Sequence, residues 1–94
     1  MPSVQRTVSV VHPEGLHARP AALFVQAARR FTSRVTVKKG RTIVDGKSII
    51  GLLTLAARQG SRLSVTTHGP DAAAALERLI GLLTKPIHDA GKGQ

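Results

Sequence analysis

Polar and apolar residues alternate at the start of the chain. Val4, Val8 and Val10 share one face with Arg6, while Gln5, Thr7 and Ser9 point the other way. Period two over residues 4–11 predicts a strand. His12-Pro13-Glu14-Gly15 breaks the pattern and reads as a loop. The period then changes: Phe24, Ala27, Ala28 and Phe31 recur at helical spacing, which predicts a helix over 18–31. Pro20 fits its first turn, where a missing N–H costs nothing, and His17 falls at or just before its start.

Alternation returns at 34–39, with Val35 and Val37 on one face. Gly40 allows a tight turn into a second strand at 41–45, so a hairpin is expected. Asp45-Gly46 is a further turn, and Ser48 is placed to cap a short apolar helix from Ile49 to Leu55. After Gln59-Gly60, Leu63, Val65 and Thr67 form one face of a last strand. Gly69-Pro70-Asp71 turns into a final helix carrying Leu76, Leu79, Ile80 and Leu83, with Pro86 as its stop. The order β-α-β-β-α-β-α suits an α+β open-faced sandwich: a four-stranded, mostly antiparallel sheet with three helices on one face. Residues 1–88 are expected to form one domain and 89–94 a flexible tail.

Composition narrows the function classes. The 94 residues include no Cys, which removes disulfides, thiolate metal sites and a thiol nucleophile. His12, His17, His68 and His88 lack the spacing of a helical zinc pair, so no metal site is expected. No apolar run is long enough to span a membrane, and no signal-peptide pattern opens the chain, so a cytoplasmic location is expected. Fourteen Lys or Arg against five Asp or Glu give a net charge of +9. That charge brings in nucleic acid, anionic membranes and acidic proteins as candidate partners. The two aromatics, Phe24 and Phe31, are too few for base-stacking platforms. Arg29, Arg30, Arg34, Lys38, Lys39 and Arg41 form a basic run without an acid. It reads either as a solvated face or as a module for nucleic acid or another polyanion.

The segment Gly15-Leu16-His17-Ala18-Arg19-Pro20-Ala21 concentrates the chemistry. It sets an imidazole at a helix start, where unpaired N–H groups and the helix dipole favour an anion. Neutral imidazole is available as a nucleophile at physiological pH, and the Arg19 guanidinium binds phosphate in a fork. That combination suits a phosphorylated histidine; the plain alternative is a surface histidine capping a helix. Ser48 likewise reads as a helix cap or as a modification site. Ile49, Ile50 and Leu53 read as core or, since Leu52, Leu55 and Ala56 can supply a buried face, as an exposed apolar surface. Gly46-Lys47-Ser48 imitates the end of a phosphate-binding P-loop, but Arg41 stands where that motif needs glycine.

Two of these segments resemble one family. Gly15 to Ala21 is similar to the active-site signature of HPr, the histidine-containing phosphocarrier of the bacterial phosphoenolpyruvate-dependent sugar phosphotransferase system. Asp45-Gly46-Lys47-Ser48-Ile49-Ile50-Gly51-Leu52-Leu53 resembles its regulatory serine region, and the two lie about thirty residues apart, as in the family. The resemblance implies a carrier rather than a free-standing enzyme. His17 would take a phosphoryl group on Nδ1 from enzyme I and give it to sugar-specific IIA domains. Arg19 and the N–H groups of Ala18 and Arg19 would hold the phosphate. Ser48 would be the target of an ATP-dependent HPr serine kinase/phosphorylase. Gln26, Arg29, Lys47, Ile49, Ile50 and Leu53 would dock partners. It implies no cofactor, no nucleic acid, no membrane and a monomer. A regulatory paralogue outside sugar uptake remains the alternative. Glu14 departs from the pattern, since many relatives carry Asn or Ser there. Its carboxylate would repel a phosphate on His17 unless turned outward or paired with a cation.

Overall fold

The computed structural model describes residues 2–85. The elements follow in the expected order: β1 (Ser3–Ser9), α1 (Ala18–Ala28), β2 (Arg34–Lys39), β3 (Thr42–Asp45), α2 (Ile49–Thr54), β4 (Arg62–His68) and α3 (Ala72–Thr84). The Pro86 stop and the tail at 89–94 lie outside the described residues.

The strands form one sheet in the order β1-β4-β2-β3, and every neighbouring pair is antiparallel. The last strand therefore lies between the first two. Val8 faces Leu63, Arg6 faces Val65, and Val65 faces Val37, so β1, β4 and β2 share one inward face. Val35, Val37, Leu63 and Val65 bury almost completely there against Phe24, Leu52, Leu79 and Leu83 of the three helices. Burying a side chain of that size contributes roughly 1.5–3 kcal/mol. Helix α3 covers β1 and β4, α1 packs between α3 and α2, and α2 adjoins β3. Thr36, Ser64 and Thr66 lie on the opposite face, which no helix among the described residues covers.

Helix α1 stops at Ala28 instead of reaching Phe31. Periodicity alone extends it, but tertiary bonds claim the backbone groups a further turn would need. The Asp71 carboxylate accepts from the N–H groups of Thr32 and Ser33, both at 2.9 Å, and from both hydroxyls. Lys47 Nζ donates to the Phe31 carbonyl at 2.8 Å. The chain is thereby turned into β2, and Phe31 is only half-buried. The same pairing lowers the Asp71 pKa from 3.8 to about 2, chiefly through the Ser33 hydroxyl and then the Thr32 N–H.

A carboxylate held below its ordinary value stabilises the fold fully above that value and loses the contribution as pH falls through the depressed one. Asp71→Asn is therefore expected to lower the melting temperature at neutral pH. It should also flatten the loss of stability of the parent protein between pH 3.8 and about 2. Thermal unfolding across pH 2–7 checks both; parallel curves for the two proteins would contradict the clamp.

Candidate functional site

The loop before α1 is held from two sides. The Gly15 N–H donates to the His12 carbonyl at 2.9 Å, and the Leu16 N–H donates to the Ala57 carbonyl at 2.8 Å. Gly15 has φ +77, and a Cβ there would stand 2.3 Å from the Ala57 oxygen. Only glycine meets both demands. Leu16 plugs into the core, and the buried His12 ring donates from Nε2 to the Leu82 carbonyl at 3.0 Å.

This anchoring brings the next residue out to the surface. His17 is the N-cap of α1, with extended backbone angles and a carbonyl that accepts the Ala21 N–H at 2.9 Å. Its imidazole makes no capping bond and is 45% exposed. The ring is therefore not used to hold the helix. The Ala18 N–H has no partner among the described residues. Pro20 contributes no N–H, and Arg19 is exposed on the same first turn. Among the described residues, the side chain that meets the ring is Glu14, whose Oε1 lies 3.5 Å from Nε2.

Ser48 lies at the start of α2, where its Oγ accepts the Gly51 N–H at 3.0 Å. The turn before it is tight: a Cβ on Gly46 would stand 2.4 Å from Val35 Cγ1. Beyond Ser48 the apolar residues divide largely as the surplus suggested, except that Ala56, expected on the buried face, is exposed where its φ of +51 turns the chain out of α2. Leu52 and Leu55 are buried, while Ile49 (41%), Ile50 (78%) and Leu53 (40%) are exposed. Arg29 Nη2 donates to the Lys47 carbonyl at 3.3 Å, which joins the far end of α1 to the start of α2. Ala57, just beyond α2, meets Gly15 and Leu16 at the near end. The two helices thus run against each other. His17 stands at one end of α1, an 11-residue helix about 16 Å long, and Ser48 lies towards its other end.

The sequence-derived docking set is accordingly split. Arg29 and Lys47 gather near Ser48. Gln26 lines a shallow groove with Arg30, Arg78 and Leu82 on the α3 side of α1, away from α2. The basic run is divided as well. Lys39 donates to the Leu55 and Ala56 carbonyls at 3.1 and 3.5 Å, capping the C-terminus of α2. Arg34 and Lys38 lie on the uncovered sheet face.

A family model described as "PTS HPr component phosphorylation site" matches residues 4–85. The chain belongs to the HPr family. An HPr-like protein Crh from Halalkalibacterium halodurans is 46% identical over 82 residues, covering 87% of this chain and 98% of that one. The crystal structure of a phosphocarrier protein HPr from Bacillus anthracis superposes with a TM-score of 0.84 at 45% identity, over 87% of this chain and 98% of that one. The HPr architecture and a phosphocarrier family are thus shown, with HPr and Crh relatives at nearly equal identity. A third HPr-family structure, Crh from Bacillus subtilis, has a TM-score of 0.73 at 43% identity over 92% of this chain and 99% of that one. It is described as a swapped, intertwined dimer. The monomer expected from the sequence is withdrawn on that finding. A swap reuses the contacts of the single fold, so those contacts do not dictate one copy.

Among the described residues, no helix is long and apolar enough to cross a membrane, and no three acidic or histidine side chains cluster as a metal site. His88, one of the four histidines weighed for metal, lies outside them.

Sequence reasoning missed four contributors. The Ala57 carbonyl and the Lys39 cap depend on tertiary approach and leave no local signal. Ile43, 62% exposed on β3, follows from strand alternation opposite the inward Val44. Ala56 has φ +51, a left-handed conformation unusual for alanine.

Two substitutions test this scaffold. Gly15→Ala combines a forbidden contact with a disfavoured φ and should cost about 1–3 kcal/mol. Ala56→Gly removes left-handed strain and should stabilise by up to about 1 kcal/mol, after the entropy cost of glycine. Chemical denaturation measures both, and opposite signs are expected.

Proposed function

We propose that this protein is a phosphocarrier that accepts a phosphoryl group on His17 Nδ1 from enzyme I and passes it to sugar-specific IIA domains. The observation that carries the reading is the exposed, uncapping imidazole at the open N-terminus of α1. Attack by a ring nitrogen needs an accessible lone pair. Accumulating charge needs nearby donors, and the Ala18 N–H and the positive end of α1 supply them. Arg19, exposed on the same turn, adds a planar cation suited to phosphate oxygens. Phosphoryl transfer is mainly positioning and charge stabilisation, so a small carrier with these groups suffices.

Partners dock on the exposed α2 residues Ile49, Ile50 and Leu53, flanked by Arg29 and Lys47. A small apolar centre with a charged rim suits transient association, and acidic partner surfaces would be drawn to it. Ser48 is the regulatory residue, modified by an ATP-dependent HPr serine kinase. Its hydroxyl is half-buried as the α2 cap, so modification exchanges one cap for a charged one at the rim of the docking surface. The protein works in the cytoplasm.

A regulatory role like that suggested by the name of the Crh relatives shares this site and differs in partners. With purified enzyme I and phosphoenolpyruvate, the protein should gain one acid-labile phosphate, and His17→Ala should gain none. Full labelling of His17→Ala would refute the assignment. Ile50→Glu should leave the fold intact, since the side chain is 78% exposed, yet slow transfer at least several-fold by placing a charge in the apolar centre. Unchanged transfer kinetics would remove Ile50 from the docking surface.

A further inference from the structure

We propose that Glu14 is a positioning residue for His17: its carboxylate holds the imidazole with the proton on Nε2 and leaves Nδ1 as the nitrogen with a free lone pair. The proposal rests on the assignment of His17 as phosphoryl acceptor, but its central measurement does not.

Glu14 Oε1 stands 3.5 Å from Nε2, three residues before the ring on the same anchored loop. At 3.5 Å the contact is electrostatic rather than a formed hydrogen bond, and the negative charge beside Nε2 favours the ring form with its hydrogen on that nitrogen. Neutral imidazole has one proton, and fixing it on Nε2 exposes the lone pair of Nδ1. No described group bonds Nδ1. The loop that sets this geometry is the one Gly15 and Leu16 tie to Ala57, so Glu14 and His17 approach from a backbone that is already fixed.

The arrangement also has a part in the transfer step. The Nδ1 lone pair forms the new N–P bond as the bond from phosphorus to the donor's leaving atom breaks. The electron pair of that bond goes to the leaving atom of the donor. The proton stays on Nε2, so bond formation places positive charge on the His17 ring. The Glu14 carboxylate faces the nitrogen that bears this proton and stabilises that charge. Onward transfer reverses the flow: the ring leaves as neutral imidazole, still protonated on Nε2. The repulsion expected between Glu14 and the phosphate is reduced, because the carboxylate sits at the ring nitrogen opposite the phosphorylated one.

Glu14 is 81% exposed, so Glu14→Ala removes the acceptor with little loss of packing. Ring nitrogen chemical shifts of His17 in uniformly labelled protein report the tautomer without any partner. Glu14→Ala should lower the Nε2–H fraction, and Glu14→Gln, which removes the charge and keeps the shape, should lower it similarly. The initial rate of phosphoryl acceptance should fall about 2–5-fold in both Glu14→Ala and Glu14→Gln, the scale of an exposed ionic contact. Unchanged ring shifts in Glu14→Ala would overturn the proposal. A tautomer that shifts while His17 itself takes no phosphate would refute the phosphocarrier assignment and leave the contact standing.

Discussion

The backbone contact between Gly15 and Ala57 is the constraint on which the site depends. The approach is too close for any side chain on Gly15, and it requires a positive φ there. With that contact made, Leu16 enters the core and His17 stands exposed at the start of α1. The helix then begins with an imidazole that owes nothing to capping. Two more ties secure the arrangement. His12 bonds the last turn of α3, and Lys39 of β2 bonds the carbonyls at the end of α2. Each element that packs on the sheet thereby contributes one polar bond or one backbone group to the site. Such bonds are worth about 1 kcal/mol singly, and more to the precision of one small loop than to the total stability.

The charge that dominates the composition has several separate uses. Lys39 and Lys47 bond backbone carbonyls, and Arg29 bonds another. These cations do structural work that a count of charges cannot reveal. Arg19 lies at the open end of α1, while Arg34 and Lys38 remain on the uncovered sheet face. A continuous basic run in sequence becomes a dispersed set in space, because β2 sends alternate side chains to opposite faces and α1 ends before the run is complete.

Much of this was legible in the chain. Period two and period 3.6 placed β1, β2, β4, α1 and α3, turn and cap residues placed β3 and α2, and the surplus of apolar residues around Ile49 and Ile50 correctly implied that some would be exposed. The two signature segments fell at the two helix starts they implied. What stayed hidden is long-range. Nothing local says that β4 inserts beside β1 and β2, since strand order depends on which faces pair. Phe31 continues the helical period, yet Asp71 and Lys47, remote in sequence, claim the backbone groups there. Gln26 looks like its neighbours on α1, but a helix turns each residue by 100° and carries it to the α3 side. Glu14 could be read as a departure from pattern, but not as a partner of the ring until both were placed on one loop.

The antiparallel run of α1 and α2 has an electrical consequence. Helix α1, with His17 at one end and Ser48 towards the other, is about 16 Å long, twice the ~8 Å over which exposed charges sense each other at physiological ionic strength. A negative charge added at one end is nearly invisible at the other through solvent. Any molecule that lies along α2 touches the neighbourhood of both ends at once. The two ends can therefore be compared only by something that spans them, and the ruler is the partner rather than the carrier.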